Sequence, residues 1–156
     1  MRRASFTDIN CSIAQALELI GEWWTILILR DAFFGVTRFD QFQQRLGIAR
    51  NVLTDRLNNL VDSGIMERHA YDESRGRTDY RLTKKGRALW PVIVTLRQWG
   101  DEWLYEPEDR PLDIVHQTCE AHTGFDLACR SCGDTIYLRD LTVAPGPGAR
   151  GDELPN

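Results

Sequence analysis

Ile13, Ala16, Leu17 and Ile20, followed by Trp24, Leu27, Ile28 and Ala32, recur at helical intervals, and Gly21 interrupts the series. The pattern predicts two helices over residues 12–34, broken near Gly21 to Trp23. Asp8 and Asn10 are candidate N-caps for the first, and Gly35 can close the second in a left-handed conformation. A short third helix carries Phe39, Phe42 and Leu46 on one side and stops at Gly47.

The stretch ARNVLTDRLNNLVDSG, residues 49–64, has two faces. Rotation of about 100° per residue brings Leu53, Leu57, Leu60 and Val61 onto one side and Asn51, Asp55, Asn58 and Asp62 onto the other. The apolar side is core, and Arg50, Thr54 and Arg56 fall on its flanks. After Gly64 the period shortens: IMERHAY and TDYRL alternate loosely around the polar turn DESRGR, which predicts a hairpin. Thr83 is the expected N-cap of a long helix bearing Leu89, Val92, Ile93, Leu96, Trp99 and Trp103, bent at Pro91 and weakened at Gly100.

EPEDRP, residues 106–111, reads as a linker into short extended pieces around IVHQTC and DTIYLRDLTV. The end, APGPGARGDELPN, is too poor in apolar residues to pack and is expected to be disordered. The resulting fold class is mainly α with a small β-hairpin: a winged helix-turn-helix over 11–105, the linker 106–111, a small zinc-ribbon-like Cys/His extension over 112–143, and the tail 144–156.

A net charge of −4 argues against a nucleic-acid partner until it is resolved along the chain. Residues 1–37 carry −1, residues 38–100 carry +5 and residues 101–156 carry −8. The basic middle coincides with the two-faced helix and the hairpin. A helix with a polar outer face fits the major groove of double-stranded DNA, while a basic hairpin reaches the flanking backbone or minor groove. Arg50 and Asn51, on the first helical turn, suit guanine and adenine edges respectively. Thr54 suits a thymine methyl or a phosphate, and Arg38, Arg56, Arg75 and Arg77 suit phosphates, which position without specifying sequence.

Several pieces then resemble one family: the leading Cys11, IGEWWTILILRD, TRFDQF, LTDRLNNLVDSGIMER and YRLTKKG. Over about residues 11–104 the chain resembles the HxlR-type winged-helix transcriptional regulators of bacteria and archaea. The resemblance implies a homodimeric, DNA-binding regulator paired largely through its terminal helices, with the helix at 49–63 in the major groove. Trp99 and Trp103, four residues apart, are either core or anchors of that dimer interface, and the resemblance favours the interface. Ala49 departs from the family, which often has Ser there; the missing N-cap hydroxyl costs about 1 kcal/mol in a typical helix. The resemblance also aligns Cys11 with an amino-terminal cysteine that some relatives use to sense thiol-reactive compounds, against the strong alternative that a free Cys beside Ile13 and Ala14 is a small hydrophobe.

In the extension, His116-x2-Cys119 and Cys129-x2-Cys132 have the spacing of two pairs that grip a tetrahedral Zn(II), with His122 competing for the fourth position. Gly133 follows the second pair as in a zinc knuckle, whereas Glu120 stands where such a turn usually has Gly. Four protein ligands make such a zinc structural. With no nucleophile and base at a motif spacing and no Gly-rich phosphate loop, the chain is not expected to be an enzyme. The expected function is a sequence-specific transcriptional regulator on a palindromic operator, responding to a small molecule or an electrophile; the alternative is a winged-helix and zinc-ribbon interaction module of the transcription machinery. No apolar run is long enough to cross a bilayer and no secretory h-region opens the chain, so a cytoplasmic protein without membrane partners is expected.

Overall fold

The computed structural model describes residues 5–72, 77–120 and 124–149, with the backbone alone for Tyr71, Asp72 and Arg77. Four helices come first: α1 (Ser12–Ile20), α2 (Trp23–Phe33), α3 (Phe39–Leu46) and α4 (Arg50–Asp62). The hairpin β1 (Met66–Asp72) and β2 (Arg77–Leu82) follows, then α5 (Lys84–Arg87) and α6 (Trp90–Trp103). Contacts divide the chain into two compact units, Met1–Ile93 and Val94–Asn156.

The break between α1 and α2 turns the axis by 79°. It occurs at Gly21, where a Cβ would lie 2.5 Å from the Leu17 carbonyl oxygen, so no side chain fits without moving the backbone. The N-cap of α1 is Cys11, not Asp8 or Asn10, because the lead-in segment curls until the Cys11 N–H donates to the Ile9 carbonyl at 2.8 Å. Cys11 makes no side-chain cap bond there.

Helices α2, α3 and α4 enclose the core of the first unit. Ile28, Leu29, Phe42, Leu53, Leu57 and Leu60 are buried together, joined by Ile48 from the turn between α3 and α4 and by Ile65 and Met66 at the entry to β1. Asp31 is also fully buried. Its carboxylate meets Arg30 at 2.8 Å and Arg45 at 3.2 Å, which ties α2 to α3 and pairs a charge whose solitary burial would cost several kcal/mol. Gly47, left-handed at φ 62, ends α3 and leaves a three-residue turn into α4, the spacing of a helix-turn-helix.

The hairpin is antiparallel, from Met66 opposite Leu82 to Asp72 opposite Arg77, with an irregularity between Ala70 and Asp72. Arg38 bridges to Asp79, and the Tyr80 N–H donates to the Thr37 carbonyl at 2.7 Å, so the segment before α3 adds a short third rung to the wing. Thr83 caps α5 as expected, accepting from the Gly86 N–H. The long bent helix expected after it is two helices. Pro91 has no N–H to bond the Arg87 carbonyl and its ring crowds that turn; it sits instead in the first turn of α6, where it is tolerated.

In the second unit, the Gln98 side chain accepts from the Phe125 N–H at 2.7 Å and donates to the Phe125 carbonyl at 3.3 Å, and Arg97 donates to the Leu112 carbonyl while pairing with Asp101 at 2.8 Å. These bonds join the second half of α6 to the extension, so the expected linker lies inside this unit, with Pro107–Asp109 as a 3-10 turn. Where extended pieces were expected, the described residues hold turns and the bridge Ala128 to Thr135.

Candidate nucleic-acid interface

The first turn of α4 is set by what lies beneath it. Ile48 and Leu53 are buried and Val52 packs half-buried against the core, so Ala49, Arg50 and Asn51 are left exposed. Ala49 is the N-cap and supplies no side-chain bond, which leaves the first amides of the helix uncapped by side chains. The Arg50 guanidinium lies 5.0 Å from the centre of the Phe39 ring. This cation–π contact, worth about 0.5–1 kcal/mol at an exposed site, restricts the long side chain to the solvent edge of the α3–α4 turn.

Further along the helix, Thr54 donates its hydroxyl to the Arg50 carbonyl at 2.8 Å. Its proton is therefore engaged, which favours a methyl contact over a phosphate bond. Arg56 pairs with Glu22 at 3.2 Å and is three-quarters buried, linking α4 to the start of α2. Arg38 pairs with Asp40 at 3.1 Å beside the wing. Arg75 and the side chain of Arg77 lie outside the described residues.

Two exposed basic residues, Arg68 and Lys84, are not singled out by the sequence pattern. Arg68, exposed on β1, donates to the Asn58 side chain of α4 and stands 5.9 Å from the Tyr80 ring across the hairpin. The hairpin register, which places Arg68 opposite Tyr80, was the signal that would have found it. Lys84, exposed just after the wing, adds another positive charge. Arg50 and Asn51 on the first turn of α4 and Arg68 on β1 are all exposed, as are the acidic Asp55 and Asp62, which share the polar face of the helix with Asn51.

The described residues of the first unit have a helix-turn-helix followed by a wing, and the model of the HxlR-like helix-turn-helix family matches residues 19–108. The chain belongs to that family. An uncharacterised HTH-type transcriptional regulator of Mycobacterium tuberculosis is 50% identical over 137 residues, covering 88% of this chain and 87% of its own. Among solved structures, PA1607, described as a candidate transcription factor, superposes with a TM-score of 0.82 at 37% identity, over 92% of this chain and all of its own. The redox regulator HypR in its reduced form has a TM-score of 0.56 at 28% identity, over 59% of this chain and 92% of its own. This chain is accordingly a transcriptional regulator of the helix-turn-helix type. Among the described residues, no single helix is long and apolar enough to cross a membrane.

The expected metal ligands form two local pairs. His116 Nδ1 lies 3.2 Å from Cys119 Sγ. Cys129 and Cys132 are within hydrogen-bonding reach, and the N–H groups of Cys132 and Ser131 point at the Cys129 sulfur, which lowers its pKa from the usual thiol value. His122 lies outside the described residues. Trp99 and Trp103 are not core: they are 55% and 67% exposed in the single chain.

Proposed function

We propose that this HxlR-family regulator binds a palindromic operator as a homodimer, placing α4 in the major groove of each half-site. The observation that carries the reading is the outward-facing first turn of α4, where Arg50 and Asn51 are exposed and Arg50 lies over the Phe39 ring at the α3–α4 turn. Arg50 reads guanine and Asn51 reads adenine, each bidentate contact discriminating by about 1–3 kcal/mol. Arg38, Arg75 and Arg77 contact phosphates, joined by Arg68 and Lys84. Arg56 acts through Glu22, fixing the angle at which α4 is presented.

A two-fold dimer matches a palindrome because both share one symmetry. Its contact surface is α6, on which Leu96, Trp99 and Trp103 recur at three- and four-residue intervals, all more than half exposed. An electrophile is the proposed effector, acting at Cys11, which is exposed at the start of α1. Support comes from HypR, solved in reduced and oxidised forms.

Genomic footprinting followed by binding to the recovered duplex tests the central claim. Arg50→Ala and Asn51→Ala are expected to lose roughly 5- to 150-fold in specific affinity each while keeping their helix content and non-specific binding. Wild-type affinity for the footprinted site in both variants would sink the proposal.

A further inference from the structure

The second unit poses a physical problem. From Thr95 to Ala149 no described residue is buried, yet the segment makes defined turns. Polypeptide this short and this poor in core gains its fold from a cross-link, a metal or a partner chain, and the proposed α6 dimer face leaves the Cys/His turns without a core of their own. Hydrogen bonds from α6 to Leu112 and Phe125 hold the loop bearing His116 and Cys119 at both ends, but they do not reach its middle.

The two Cys/His pairs have the same backbone construction. In the first, the N–H groups of Cys119 and Glu120 donate to the His116 carbonyl at 3.2 and 2.7 Å, and Glu120 is left-handed at φ 55. It is the only non-glycine described residue in that region of backbone space. In the second, the Gly133 N–H donates to the Cys129 carbonyl at 2.8 Å, and Gly133 is left-handed at φ 81. That turn closes a small hairpin in which the Cys129 N–H donates to the Asp134 carbonyl and the Ile136 N–H to the Leu127 carbonyl, both at 2.8 Å. In both turns a left-handed residue directly follows the second ligand and its N–H closes the turn on the first ligand's carbonyl. Glu120 adopts that conformation despite a cost of about 1–2 kcal/mol for an L residue, so the departure in sequence is not a departure in geometry.

We propose that His116, Cys119, Cys129 and Cys132 bind one structural Zn(II), with the two turns as its knuckles. Bond lengths near 2.3 Å for sulfur and 2.0–2.1 Å for nitrogen give a tetrahedral N–S edge of about 3.5 Å. The observed 3.2 Å between His116 Nδ1 and Cys119 Sγ is close to that edge. Among the described residues no three His, Cys, Asp or Glu side chains already meet around one point. The pairs are thus preformed halves, and the ion supplies the attraction that closes them on each other. Binding releases the three thiol protons to solvent and fills every coordination position with protein, so no site remains for an activated water. One nitrogen and three sulfurs select zinc over hard cations such as Mg(II).

The test uses the full chain, purified under reducing conditions without chelator, and does not depend on DNA binding. Elemental analysis is expected to find one zinc per chain, and Cys129→Ser and Cys132→Ser to lose it with the helical circular dichroism of the first unit retained. Co(II) added to stripped wild-type protein is expected to give the d–d and sulfur-to-metal charge-transfer bands of a tetrahedral thiolate site. His116→Ala weakens that spectrum, while His122→Ala leaves it unchanged. Absence of zinc together with an octahedral or missing Co(II) spectrum in the wild-type chain overturns the site, and loss of the spectrum in His122→Ala but not His116→Ala overturns the ligand set.

Discussion

Gly86 offers a test of how α5 is fixed to the junction of α4 and the wing. It lies in α5, where a Cβ built on its backbone would stand 2.2 Å from the Ile65 carbonyl oxygen and 3.1 Å from Leu82 Cδ2. An ordinary carbon–oxygen contact is about 3.3 Å, so Gly86→Ala requires the backbone to separate by roughly 1 Å. The Ile65 carbonyl also accepts from the Thr83 N–H at 3.1 Å and the Thr83 hydroxyl at 3.2 Å, and both bonds stretch if α5 moves away. Overpacking costs about 1–3 kcal/mol and a disturbed cap about 1 kcal/mol, against a gain of at most about 1 kcal/mol from replacing a helical glycine. The net expectation is a loss of about 1–3 kcal/mol. With a urea dependence of about 1–3 kcal/mol/M for a small protein, the unfolding midpoint followed by circular dichroism falls by roughly 1 M. Leu82→Ala should not rescue the variant, because the closest atom is backbone and cannot rotate aside. A Gly86→Ala midpoint equal to or above that of the wild type would refute the close approach and leave helix propensity as the dominant effect.

Two further outcomes bear on assembly and sensing. Replacing both Trp99 and Trp103 with Ala is expected to shift the chain from dimer to monomer in sedimentation at micromolar concentration and to flatten the cooperativity of operator binding; an unchanged sedimentation coefficient would rule out this face of α6. Mild diamide treatment is expected to modify Cys11, detected by mass spectrometry, and to lower DNA affinity in the wild type but not in Cys11→Ser, whereas an unmodified Cys11 with unchanged affinity would end the sensing proposal.

The amino-acid pattern by itself determined much of this protein. Periodicity placed α1 to α4 and the hairpin, although among the described side chains α1 buries only Ile20 and the hairpin only Met66, and the glycines at 35 and 47 announced chain reversals that only a left-handed residue makes cheaply. Arg50 and Asn51 were legible as outward-facing because Leu53 and Leu57 fixed the helix face below them. Tertiary structure decided what depends on distant neighbours. That Arg56 faces Glu22, that Arg68 reaches Asn58, and that Asp31 is held between Arg30 and Arg45 are facts about side chains 10 or more residues apart in most of these pairs, which no local period encodes. Backbone geometry likewise decided that Pro91 starts a new helix instead of bending an old one, and that Glu120 takes a glycine's conformation. A repeating pattern reports which face meets the core, whereas pairing among polar groups is set only when folding brings separate elements together.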